Sequence, residues 1–133
     1  MIVDASVAFK WMFVEEGSEA AQALLGRDDL RAPNLLLVEL GNALWKKSMR
    51  GELGDRDAYA AQLSIVCSFV TTQSEAELIP RAIEMAIALE HAIYDCVYLA
   101  QAEYMADTLM TADRRFWGKV AASLFKDHVQ LLN

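Results

Sequence analysis

Glycine, proline and cysteine are scarce in this sequence, and their scarcity excludes several classes of protein. The 133 residues include six glycines and two prolines, too few for a long linker or a low-complexity segment. The two cysteines, Cys67 and Cys96, are too few for a disulfide framework and are not spaced as zinc ligands. We therefore expect a single folded domain over residues 1–133, in a reducing, cytoplasmic environment.

Long apolar runs and basic targeting segments are also missing. No apolar run approaches the roughly 18 residues that a membrane-spanning helix needs. The apolar start of the chain is interrupted almost at once by Asp4, so it does not resemble a secretion signal. These features predict a protein without a membrane partner.

Acidic residues outnumber basic ones. The formal net charge is -7, which argues against a protein that grips nucleic acid through an overall positive field. Hydrophobic residues make up 55% of the chain, enough for a large core and for an additional surface that covers a partner.

Short apolar runs alternate with helical patterns along the chain. We predict strands at residues 1–3, 30–32, 69–72, 108–111 and 129–132. The predicted helices cover residues 5–11, 18–25, 34–49, 75–90, 93–105 and 116–125, with Pro33 in a first turn and Pro80 in a first turn or at a kink. A further helix, capped by Asp55 or Asp57, is predicted to carry Tyr59, Leu63, Val66 and Val70. The alternation predicts a three-layer α/β fold, in which helices flank a short central parallel sheet.

Two carboxylates follow predicted strands. Asp4 ends the first apolar run, and Asp113 follows the run that ends at Thr111. Ligands of open α/β sheets bind where strands end and helices begin, so both positions suit a functional site. Each residue could equally cap the helix that follows it.

Two further carboxylates lie on predicted helices with largely apolar surroundings. Glu39 lies on a narrow polar stripe that also contains Asn42, Lys46 and Arg50. The first three of these residues could also form an ordinary surface network. Asp95 has apolar neighbours one and two turns along its helix, although an acid in a first turn is also favoured by the helix dipole. Burying such a charge is costly unless it is paired or binds a metal.

Four acids without a cysteine or histidine ligand set suit a hard cation such as Mg²⁺ or Mn²⁺. Clusters of this kind orient water and clamp both oxygens in the hydrolysis of a phosphodiester bond. His91 is interpreted as structural or surface, because no partner for a serine–histidine relay is evident.

Four segments in order resemble the PIN domain, and more narrowly the VapC-type toxins of toxin–antitoxin pairs. They are IVDAS at residues 2–6, APNLLLVELGNAL at 32–44, YDCVYLA at 94–100 and LMTADRRF at 109–116. Each segment alone is a weak signal, but the ordered set is specific and covers most of the chain.

The resemblance implies a Mg²⁺- or Mn²⁺-dependent endoribonuclease that forms a homodimer and is inhibited by a cognate antitoxin. It places the catalytic and metal-binding carboxylates at Asp4, Glu39, Asp95 and Asp113. Supporting side chains are expected at Ser6, Thr111 and Asn42, and candidate RNA contacts at Lys46, Arg50, Arg114 and Arg115.

Two alternatives remain open at this point. Asp4 could be the covalent nucleophile of a haloacid-dehalogenase-like phosphate hydrolase, although the second Asp of that motif is replaced here by Ser6. The chain could also be a non-catalytic acidic module for dimerisation or partner binding. Metal-dependent cleavage of RNA would exclude this second alternative.

Overall fold

The computed structural model describes residues 1–55 and 57–133. Within these residues five short strands form one parallel sheet in the order β3-β2-β1-β4-β5. The strands are β1 (Ile2–Val3), β2 (Arg31–Pro33), β3 (Thr71–Gln73), β4 (Leu109–Thr111) and β5 (Val129–Leu131). The chain builds the sheet outward from β1 on one side and then returns to add β4 and β5 on the other side.

Helices connect the strands and form the outer layers. They are α1 (Ala5–Met12), α2 (Ser18–Ala23), α3 (Leu35–Met49), α4 (Asp57–Phe69), α5 (Ile79–Leu89), α6 (Ile93–Tyr104) and α7 (Arg114–Ala121). Helix α6 packs across β1, β2 and β4 and against α5, whereas α1 packs with α2, α3 and α4. The three-layer α/β fold predicted from the alternation is confirmed.

The core is centred on β1, β4 and the middle of α6. Both strands are buried along their whole length, as is the α6 segment from Cys96 to Ala102. Tyr98 and Phe116 are the largest of the fully buried side chains. In the described part of the chain, no helix has the length and apolar character needed to cross a membrane.

Three predicted boundaries are wrong for local reasons. Pro33 is the last residue of β2 rather than part of the following helix, because a strand end tolerates the missing N–H group. Helix α7 ends at Ala121 rather than at residue 125, since the Ser123 hydroxyl donates a hydrogen bond to the Val120 carbonyl. The predicted helix over residues 75–90 begins as a 3-10 turn, and α5 then starts with Pro80 in its first turn, as expected.

Candidate active site

The candidate site lies at the carboxyl edge of the sheet, next to β1. The strand order changes direction between β1 and β4, and a crevice forms at such a switch point. Asp4 directly follows β1, Asp113 lies two residues beyond the end of β4, and Glu39 is on the helix that follows β2. The topology thus brings together residues that are far apart in the sequence.

Asp4 is a buried carboxylate that also caps a helix. Its side chain is 4% exposed, and its Oδ1 accepts hydrogen bonds from the Val7 amide at 3.1 Å and the Ser6 hydroxyl at 2.5 Å. Burial raises the pKa of Asp4 from 3.8 to about 6, against the lowering effect of hydrogen bonds that include those from Ser6 and Val7. The nearby charge of Asp95 raises the pKa further. Asp4 therefore holds its negative charge at a cost in free energy.

Ser6 and Thr111 join the ends of β1 and β4. Their hydroxyl oxygens are 3.4 Å apart, and the Ala112 amide donates to the Ser6 oxygen at 2.8 Å. The Asp113 amide donates to the Thr111 oxygen at 3.1 Å. The two hydroxyls thus connect the Asp4 side chain with the backbone that leads to Asp113, and their supporting role stays a prediction.

Glu39 is half-buried and is held by Tyr98. The Tyr98 hydroxyl donates to Glu39 Oε2 at 2.5 Å. Burial raises the pKa of Glu39, the hydrogen bond from Tyr98 lowers it, and the charges of Asp95 and Asp4 raise it again. In the described residues Glu39 has no hydrogen bond to Asn42 or Lys46, so the surface network considered above is absent.

Tyr98 is a contributor that the sequence analysis missed. Tyr98 lies one turn beyond Asp95 on the face described as apolar, yet its hydroxyl reaches a residue 59 positions away in the chain. Burial and the neighbouring Glu39 charge raise the pKa of Tyr98, so it stays protonated and acts as a donor.

Asp95 lies in the first turn of α6 and pairs with His91. The distance from His91 Nε2 to Asp95 Oδ2 is 2.6 Å, and the histidine side chain is 14% exposed. The His91 ring also packs on Phe116, with 4.8 Å between ring centroids. His91 is therefore structural, as expected, but it also has a carboxylate partner that the analysis did not identify. The four-residue spacing between them was the available signal.

Asp113 caps α7 and is electrostatically more separate from the other acids. Its Oδ1 accepts hydrogen bonds from the amides of Arg115 at 2.9 Å and Phe116 at 3.0 Å. Asp95 contributes to the raised pKa of both Asp4 and Glu39, whereas Asp113 is not among the causes. Asp4, Glu39 and Asp95 therefore form the electrostatic centre, and Asp113 lies at its side.

The carboxylates are not arranged as a closed coordination shell. Across residues 1–55 and 57–133, no three Asp, Glu, His or Cys side chains lie close enough together to hold a metal ion. The reason is visible in their contacts: Asp95 is bonded to His91, Glu39 to Tyr98, and Asp113 to the start of α7. The predicted four-residue metal site stays a prediction.

Two adjoining clefts flank these acids and share Ala5 and Ala43 as lining residues. The larger, about 590 Å³, contains Glu39 together with the predicted supporting residue Asn42 and Lys46. The smaller, about 340 Å³, is lined by Ser6, Lys10 and Asp113, among others. The two clefts therefore meet at these two alanine side chains.

The four predicted RNA contacts differ in position. Lys46 lines the larger cleft, and Arg114 lines a further cleft together with Lys10. Arg50 lies eleven residues beyond Glu39 at the end of α3, about 16 Å along the helix axis, so it is remote from the acids. Arg115 is exposed and lines none of the clefts described here.

The comparison with known families agrees with the fold. The sequence profile of the PIN domain matches residues 1–122. The chain belongs to the PIN domain family. This assignment sets aside the haloacid-dehalogenase-like alternative for Asp4.

A curated relative and a solved structure, both from Pyrobaculum aerophilum, illustrate the relationship. This PIN domain is 33% identical to Ribonuclease VapC3 over 128 residues, which cover 92% of this chain and 95% of the relative. It also resembles the crystal structure of PAE2754, with a TM-score of 0.71 and 27% identity, covering 89% of this chain and 84% of the other. The relationship therefore extends over nearly the whole chain.

Proposed function

We propose that this PIN domain is a Mg²⁺- or Mn²⁺-dependent endoribonuclease and the toxin of a toxin–antitoxin pair. The observation that carries the proposal is that Asp4, Glu39 and Asp95 lie on separate elements at the switch point of the sheet, where the charge of Asp95 raises the pKa of both Asp4 and Glu39. The similarity to a protein named Ribonuclease VapC3 supports RNA as the substrate.

The side chains present fit a hard divalent cation. All four candidate ligands, Asp4, Glu39, Asp95 and Asp113, offer carboxylate oxygens, the donors that Mg²⁺ and Mn²⁺ prefer. Asp4 is buried without a basic partner among the described residues, so its charge is uncompensated within the protein. When bound, the cation would supply positive charge to the phosphate oxygens and make the attacking water easier to ionise.

Glu39 is the residue best placed to take up the proton of the water. Tyr98 occupies Oε2, which leaves Oε1 as the free proton acceptor. The pKa of Glu39 is raised toward neutral pH, and a general base is most effective when its pKa is near the operating pH. As the water oxygen bonds to phosphorus, the bond between phosphorus and the ester oxygen breaks. The leaving oxygen takes a proton from a solvent water and Glu39 releases its proton to solvent, which completes the hydrolysis.

We also propose that a protein partner covers part of α3. Trp45 and Met49 lie one turn apart on the same face of this helix, and their exposed fractions are 57% and 66%. An apolar stripe of this kind suits the predicted homodimer or the antitoxin. Light scattering on the purified chain measures whether its mass is that of one or two copies.

The direct test is a cleavage assay with the full chain and single-stranded RNA. Wild type should cleave in Mg²⁺ or Mn²⁺ and stop when a chelator is added. Asp95→Asn should lower the rate by about a hundredfold or more while leaving the fold intact, because the amide loses the charge that the cation needs.

Asp28→Asn is the matched control for this assay. Asp28 is exposed and precedes β2, at the opposite edge of the sheet from the acids, so its neutralisation should leave cleavage unchanged. A folded wild-type protein that cleaves no RNA with either cation would overturn the proposal and favour the non-catalytic alternative.

A further inference from the structure

The larger cleft beside the acids has apolar walls and one exposed aromatic side chain. Tyr94 and Val38 both line it and are 58% and 70% exposed. The cleft volume of about 590 Å³ lies in the usual range for the binding of small organic groups. Its walls therefore suit a flat, largely apolar group.

The charges of the cleft decide which part of an RNA strand can enter it. Glu39 lines the cleft and repels phosphate, whereas Lys46 is exposed and forms no ion pair in the described residues. A phosphate is therefore favoured beside Lys46, and an uncharged base is favoured inside the cleft. Asn42 adds an amide that can hydrogen-bond to the edge of a base.

Tyr94 and Glu39 line the same cleft, and this shared lining links the cleft to the candidate catalytic acids. On the basis of the proposed function, we infer that Tyr94 forms a base-stacking subsite for one unpaired nucleobase of the RNA, close to the phosphate that is cleaved. A base held in this cleft places its strand across Ala5 and Ala43, toward the second cleft with Ser6 and Asp113.

The test measures RNA binding separately from cleavage. A fluorescent eight-nucleotide single-stranded RNA is titrated with the full chain in chelator, and its anisotropy gives the Kd. Tyr94→Ala should weaken binding about five- to a hundredfold, the usual effect of losing one base–aromatic stack. Tyr94→Trp should restore wild-type affinity, and neither variant changes the charge of the protein.

Tyr104→Ala is the matched control, because Tyr104 is on the same helix, is 74% exposed and lies outside the cleft. A second series moves one abasic nucleotide along the RNA. In wild type, one abasic position should weaken binding most, and in Tyr94→Ala this position should no longer matter. Circular dichroism checks that each variant is folded.

The outcomes separate this inference from the proposed function. If wild type binds and cleaves RNA but Tyr94→Ala binds as tightly as Tyr104→Ala, the base subsite is wrong and the nuclease proposal stands. The inference is also overturned if Tyr94→Ala weakens binding but the same abasic position still weakens binding most, as it does in wild type. If wild type binds RNA as inferred but does not cleave it with added Mg²⁺ or Mn²⁺, the nuclease proposal fails.

Discussion

Replacing Asp4 with Asn should stabilise the metal-free protein at neutral and alkaline pH. The amide oxygen of Asn can still accept hydrogen bonds from the Val7 amide and the Ser6 hydroxyl, so the cap of α1 is preserved. The substitution removes a buried negative charge, which desolvation and repulsion from the Asp95 charge make unfavourable. Loss of an ordinary helix cap would have the opposite effect.

The size of the effect follows from the pKa of Asp4. Folding raises this pKa from 3.8 to about 6. Each pKa unit corresponds to about 1.36 kcal/mol, so the charged form of Asp4 lowers the free energy of unfolding by about 3 kcal/mol. The folded protein holds the proton more tightly than the unfolded chain, so wild-type stability falls as the pH rises from about 4 to about 6. Asn does not titrate, so the variant should gain about 3 kcal/mol above pH 7 and nothing below pH 4.

The assay is urea unfolding in chelator at pH 4 and pH 8. At pH 8 the gain corresponds to a rise in Tm of about 10 °C for a chain of this length. Asp113→Asn is the control, because it also caps a helix but is less buried, and it should change stability by less than about 1 kcal/mol at both pH values. An Asp4→Asn protein that is less stable than wild type at pH 8 would refute the reasoning.

Two further predictions concern the residues that hold the other acids. Tyr98→Phe removes the hydrogen bond that lowers the pKa of Glu39, so the acid limb of the kcat/KM profile should move to higher pH and kcat should fall about 10- to 100-fold. An unmoved acid limb would show that Glu39 is not the base. His91→Leu keeps the packing on Phe116 but loses the hydrogen bond to Asp95, so kcat should again fall about 10- to 100-fold. His91→Gln keeps a hydrogen-bond donor and should cleave RNA within a few-fold of wild type. Equal kcat values for the Leu and Gln variants would assign His91 to packing alone.

The sequence predicts the fold and the positions of the acids because both depend on local patterns. Short apolar runs that end at Asp4 and near Asp113 indicate the ends of buried strands, and parallel strands share one carboxyl edge. The capping roles of both residues were also foreseeable, since an Asp directly before a helix satisfies free backbone amides.

The contacts between the acids and their neighbours could not be predicted in the same way. The bond from Tyr98 to Glu39 depends on how α6 packs relative to α3, and no local pattern encodes it. The distance of Arg50 from the acids could not be predicted either, because the length of α3 carries this residue away from Glu39. Its contact with RNA stays a prediction. The orientation of each carboxylate also depends on competing donors, such as His91 for Asp95.

The central claim is that carboxylates from separate elements act as one cation site, and calorimetric titration with Mn²⁺ in the absence of RNA tests it most directly. Wild type should bind Mn²⁺, Asp4→Asn and Asp95→Asn should each bind it at least about tenfold more weakly, and Asp28→Asn should match wild type. Mn²⁺ should also raise the Tm of wild type through its preference for the folded state. If Asp4→Asn and Asp95→Asn bind Mn²⁺ as tightly as wild type, the acids do not form one site and the account is wrong.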